Sequence, residues 1–130
     1  VDVAWSPNGR HIALTAFTKG QDTNIFVIPA KGGEPQILSD ESGPLDAAAP
    51  RWSPESQRLA FVSWRRGNAA IGYWNLEAGQ VRWVTSEKWD EEQPAWSPDG
   101  TQLVYTVNRD GDVSLAVVDL RWGRRRWLPF

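Results

Sequence analysis

The side chains best able to do chemistry in this sequence are few. A single histidine, His11, stands just past the pair Asn8-Gly9. Serine follows tryptophan three times, at Ser6, Ser53 and Ser97, and carboxylates gather at Asp90-Glu91-Glu92. Serine hydrolysis would need His11 beside a serine held on a strained turn, yet the sequence has no G-x-S-x-G elbow. The serines recur instead inside one phrase, Trp-Ser-Pro, which points to hydroxyls capping turns. No catalytic residue is therefore assigned, and no catalysis is expected of the chain by itself. The acidic run reads first as a solvated loop.

Other chemistries fare no better. One His, no Cys and scattered carboxylates do not make a metal-ligand cluster. Asp110-Gly111-Asp112 has the opening of a calcium loop but lacks the further spaced ligands and the distant Glu, so a β-turn is expected there. No glycine-rich phosphate loop is present, and no cofactor is expected. Arg124, Arg125 and Arg126, with Arg121 and the pair Arg65-Arg66, lie among Trp83, Trp122 and Trp127. Arginine between tryptophans can stack on bases. It also decorates outer strands, where charge blocks sheet-to-sheet pairing, and that is the reading preferred here.

Composition sets the frame for these residues. The chain has 130 residues, 41% hydrophobic and 23% charged, with a net charge of −2, so it can bury a core and has no global pull toward nucleic acid or an acidic membrane. No apolar run reaches the ~20 residues of a membrane-spanning helix, and no signal segment opens the chain. Absence of cysteine fits periplasm and cytoplasm equally. The sequence starts without Met and inside a motif, which suggests a piece of a longer protein or a processed chain.

Nine tryptophans are many, and their placement is periodic. With Trp5, Trp52 and Trp96 as origins, spaced 47 and 44, a glycine follows at +15 (Gly20, Gly67, Gly111) and another at +27 (Gly32, Gly79, Gly123). Three markers in register over three units define a repeat. Each unit reads as four strands. In the third these are QPAWS, TQLVYTVN, VSLAVVDL and RRRWLPF, separated by Pro-Asp-Gly, a turn around Gly111 and Arg-Trp-Gly. The middle strands are apolar on both faces. In LAFVSW, Leu59 and Phe61 point one way and Ala60 and Val62 the other. A strand buried on one face alternates with polar residues; burial on both implies sheets stacked face to face.

Four-stranded antiparallel units of ~45 residues stacked in this way are propeller blades. A β-solenoid usually has shorter repeats, and a sandwich needs no such register. The expected fold is all-β, a partial propeller of three blades at about 1–39, 48–85 and 92–130 within one segment, 1–130. Each tryptophan of Trp-Ser-Pro is expected at a blade boundary. Glu55-Ser56 replaces Asp-Gly in the second unit, so its turn is expected to be looser or of another type.

The phrase Pro94-Ala95-Trp96-Ser97-Pro98-Asp99-Gly100, with its variants at Pro50–Pro54 and Val3–Gly9, resembles the propeller repeat of TolB proteins and of the N-terminal propellers of prolyl oligopeptidase-type peptidases. The resemblance covers essentially the whole chain. It implies a non-catalytic propeller segment that gates or positions peptide for a separate hydrolase domain or, as the alternative, a protein-binding scaffold with no enzyme attached. In dipeptidyl peptidase relatives a glutamate pair holds the substrate ammonium, which makes Glu91 and Glu92 candidate substrate-binding residues. Here the pair lies too close to Trp96 for the helical insertion that carries it in those enzymes. Such propellers have about four to eight blades, so three cannot close a ring. The partner is expected to be a peptide or protein, or a second copy that completes the ring, with no nucleic acid and no membrane.

Overall fold

The computed structural model describes residues 2–17, 22–85 and 88–129. The repeat becomes three antiparallel sheets of four strands, each a meander. Unit one holds β1 (Val3–Trp5), β2 (His11–Phe17), β3 (Thr23–Pro29) and β4 (Gln36–Ile37). A small hairpin, β5 (Ser39–Asp40) and β6 (Gly43–Pro44), leads to unit two: β7 (Ala47–Trp52), β8 (Arg58–Ser63), β9 (Ala70–Asn75) and β10 (Gln80–Trp83). Unit three holds β11 (Asp90–Trp96), β12 (Gln102–Arg109), β13 (Asp112–Asp119) and β14 (Arg124–Leu128). The acidic run expected as a loop is thus the start of β11. That strand begins at Asp90 because its ladder continues past the Pro94 bulge, pairing Asp90 with Asn108 and Glu92 with Thr106.

The core consists of the two seams between units. Leu59, Phe61 and Trp74 of unit two meet Ala13, Ile25 and Val27 of unit one, while Ala60, Val62 and Ile71 meet Leu103, Tyr105 and Val107 of unit three. The two-faced apolar strands therefore serve two different seams. Gly72 makes room in the first seam. A Cβ there would lie 2.8 Å from Phe61 Cζ and 3.0 Å from the Arg82 carbonyl oxygen.

The Trp-Ser-Pro phrase builds the same turn three times. Ser6, Ser53 and Ser97 each accept, at 3.0 Å, the N–H of the residue five positions on (His11, Arg58, Gln102). Their carbonyls accept the N–H of Gly9, Ser56 and Gly100 at 2.9 Å. The second turn is therefore not looser or of another type. Ser56 takes glycine's backbone conformation, with φ 64° against 74° for Gly9 and Gly100. Holding a side chain there costs of order 1 kcal/mol. Its buried hydroxyl accepts the Asn8 N–H at 3.0 Å and ties the turn to unit one.

The leading Pro of the phrase also has a reason. The ladders of β7 and β11 slip between Ala48 and Arg51 and between Glu92 and Ala95, with Ala49 and Gln93 at φ 58° and 57°. A bulge is where a strand tolerates proline, which has no N–H to give the ladder. The remaining repeat glycines, Gly67, Gly111, Gly32, Gly79 and Gly123, all turn with positive φ. Gly20 lies outside the described residues.

Candidate functional site

Two hydrogen bonds show what the repeated tryptophans do. Trp52 Nε1 donates to the Ala4 carbonyl at 3.1 Å, and Trp96 Nε1 donates to the Arg51 carbonyl at 2.8 Å. Each indole thus reaches the residue just before the tryptophan of the preceding unit. Both rings are half-buried in the seams as expected, whereas Trp5, with no described unit before it, is 60% exposed.

A second inter-unit link was not read from the sequence. Asp46 Oδ1 accepts the Thr23 N–H at 3.2 Å, and Asp90 Oδ1 accepts the Ala69 N–H at 2.9 Å. In both cases an aspartate six residues before a repeat tryptophan holds the third strand of the preceding unit at its start. Extending the count backward from Trp52 and Trp96 would have found it.

Asp90 also lines a polar groove of ≈ 440 Å³ between the start of β11 and the β12–β13 turn of unit three, with Lys88, Trp89, Asn108, Asp110 and Gly111. Hydrogen bonds tie two of its walls. The Trp89 carbonyl accepts from Asn68 Nδ2 at 3.0 Å, and Asn108 Oδ1 accepts the Gly111 N–H at 2.7 Å. Asp110 and Gly111 carry φ 55° and 94°, the paired positive angles of a tight hairpin turn, as expected for Asp110-Gly111-Asp112. Lys88 Nζ lies 5.1 Å over the Trp89 ring. The groove thus offers a cation, carboxylates and an aromatic face together.

The candidate pair divides. Glu91 is fully buried, and its N–H donates to the Ala69 carbonyl at 3.0 Å. Glu92, one residue on and on the opposite face of β11, is exposed. The two carboxylates are not brought together on one cation, and only Glu92 faces solvent.

The remaining candidates are taken up inside the chain. Ser6 Oγ donates to Asn8 Oδ1 at 2.7 Å and meets His11 through the backbone N–H, while the His11 ring packs against Trp52 at 6.3 Å between centroids. Asp99 accepts from Ser97 Oγ at 2.7 Å and from Thr101 N and Oγ1 at 3.0 and 2.8 Å. Those bonds, the Ser97 hydroxyl first, hold its carboxyl at about 2. Arg66 stacks 4.3 Å over Trp83, while Arg109 and Arg125 flank Trp127 at 4.1 and 4.8 Å. Arg65 grips Asp40 with two bonds of 2.8 and 2.6 Å, tying the small hairpin to unit two and holding the Asp40 carboxyl below its usual range.

Comparison with known proteins agrees with this geometry. The family model described as the TolB beta propeller domain matches residues 32–128. The chain belongs to the TolB β-propeller domain family. Over 62 residues it is 34% identical to the Tol-Pal system protein TolB of Xanthomonas campestris, covering 48% of this chain and 14% of that protein. It superposes on a putative TolB from Agrobacterium tumefaciens with a TM-score of 0.76 at 21% identity, covering 98% of this chain and 49% of the other. A puromycin-hydrolyzing peptidase of Mycobacterium tuberculosis gives a TM-score of 0.79 at 21% identity, with 98% and 21% covered. The chain thus spans less than half the length of each of these relatives. As a member of this family it is a three-bladed part of a β-propeller.

Proposed function

We propose that this three-bladed unit is the non-catalytic propeller segment of a prolyl oligopeptidase-like serine peptidase, where it positions peptide for a hydrolase domain. One observation carries the reading. The Ser and Asp side chains of the repeat are consumed in turns, and among the surface grooves the one beside Trp89 lies on the same strand as the exposed carboxylate of Glu92. A groove holding both charge signs and an aromatic face suits a peptide, with its amide dipoles and its terminal ammonium. The structural likeness to a peptidase supports the same reading. The test is titration of the isotope-labelled chain with a short peptide, compared with its N-acetylated form, by amide NMR. Shifts around Trp89, Glu92 and Asp110 are expected, larger for the free amine and reduced in Glu92→Gln. No shift at millimolar peptide would overturn the reading.

The second reading is a TolB-type scaffold that binds a folded protein and carries no enzyme. Its support is the sequence match to the Xanthomonas TolB. In that case short peptides leave the groove unperturbed.

A further inference from the structure

An arginine in unit three lacks the partner that the same repeat position has in unit two. Counted from the repeat tryptophans, Arg65 and Arg109 both stand at +13, and Trp83 and Trp127 both stand at +31. In unit two this pair holds a carboxylate. Arg65 forks onto Asp40 at 2.8 and 2.6 Å, and its Cζ lies 5.6 Å from the Trp83 ring centroid. The Ser42 N–H also donates to Asp40, at 2.9 Å. In unit three Arg109 stacks more closely, 4.1 Å over Trp127, with Arg125 at 4.8 Å on the same ring. Among the described residues no carboxylate meets Arg109. The ion pairs there are Arg58–Glu55, Arg65–Asp40 and Arg121–Asp119, and Asp112, opposite Arg109 in the ladder, is in none of them. Arg109 Nε is buried with no hydrogen-bond partner among the described residues. A buried donor without an acceptor is costly and needs a reason.

The difference between the units arises ahead of each one. Asp40 arrives on the hairpin β5–β6, in the connection between β4, which ends at Ile37, and β7, which begins at Ala47. The next connection is shorter, from Trp83 to Asp90, and carries no such hairpin among the described residues. Both arginine–tryptophan pairs lie on the side of their unit that faces the preceding one. Trp83 packs on the first seam, and Trp127 stands opposite Ala116 of the second. Arg109 is two residues beyond Val107 of that second seam and shares its face. The pair is therefore not part of the outward face of unit three.

We propose that Arg109 and Trp127 form a binding site for the carboxylate of an acidic side chain, of the kind that Asp40 supplies to Arg65 and Trp83. The planar guanidinium fork matches the two oxygens of a carboxylate, and the indole beneath keeps the fork oriented. An aspartate in a short exposed turn is the occupant, because the same two residue types at the same repeat positions already take one in unit two.

The probe is the hairpin's own sequence, Ser-Asp-Glu-Ser-Gly (Ser39 to Gly43), as a peptide blocked at both ends and added to the isotope-labelled chain. In NMR the Arg109 guanidinium and Trp127 indole resonances should shift and saturate at millimolar peptide, while those of Arg65 and Trp83 stay in place. The same peptide with Asn and Gln for Asp and Glu should leave Arg109 unshifted. Arg109→Gln should abolish the response at Trp127. Arg109→Lys keeps the charge but loses the fork and should weaken binding about tenfold. Asp40→Ala calibrates the readout, since it releases Arg65 and should move its resonances toward those of Arg109 without peptide. No shift at Arg109, or an equal response to the amide peptide, would overturn the proposal. So would an Arg109 that matches the gripped Arg65 in the 130-residue chain before peptide is added, since the chain would then fill the site itself. In the protein at its native length, a persisting response assigns the carboxylate to another molecule. A match to Arg65 that peptide no longer alters assigns it to a flanking segment.

Discussion

At the scale of the residue, the three tryptophans of one repeat position do unequal work, and the inequality can be measured. Trp96 is half-buried in a seam, is hydrogen-bonded to Arg51, and has Arg58 stacked 4.5 Å over its ring. Its truncation to alanine should cost about 3 kcal/mol by urea unfolding, as for other large aromatic cavities. The same change at Trp5, 60% exposed, should cost less than about 1 kcal/mol under conditions where the chain is monomeric. Asp99 offers a residue-scale test in pH. Its folded carboxyl lies at about 2 against 3.8 unperturbed, so it favours the folded state above the unfolded value and loses that contribution as pH falls through the folded one. Carbon-detected NMR should place its midpoint near 2. Asp99→Asn should flatten the dependence of stability on pH between about 4 and 2.

At the scale of the element, the strands and their stacking were legible in the sequence because both follow from side-chain period. LAFV is apolar on two faces, and only a strand between two seams can bury both. The turn after the second Trp-Ser-Pro was not legible. Residue preference favours glycine at positive φ, whereas Ser56 is held there by a tertiary contact, its hydroxyl accepting from Asn8 in another unit. The acidic run was misplaced for a related reason, since charge suggests loop while the ladder with β12 keeps Asp90 to Glu92 in a strand. Burial then separates Glu91 from Glu92, which no spacing rule shows at adjacent positions. Gly72 was also overlooked, because it belongs to no repeat marker and its meaning lies in the Phe61 ring opposite. Gly72→Ala should cost about 1–3 kcal/mol through the 2.8 Å approach to that ring. Phe61→Leu, which shortens the neighbour, should make the added methyl cheaper, and a double-mutant cycle in urea would read the coupling.

At the scale of the whole molecule, stability should be graded along the stack, because among the described residues the core lies in two seams and unit two contributes to both. Native-state hydrogen exchange in the monomeric chain should therefore be slowest for β8 and β9 and faster in both outer units. Arg58 is the bolt that couples units two and three. It pairs with Glu55 at 2.6 Å, donates to the Gly100 carbonyl at 2.6 Å, and covers Trp96 and Tyr73 at 4.5 and 5.9 Å. No comparable arginine among the described residues spans the seam to unit one, where Ser56 and Asn8 meet instead. Arg58→Ala removes a charged hydrogen bond worth about 2 kcal/mol, so amides of β12 and β13 should exchange about thirtyfold faster. Those of β2 and β3 should change little, since their seam keeps its core and its Ser56 contact. Equal acceleration in all three units would mean that the stack opens as one body, and the nearest-neighbour account of its stability would have to be abandoned.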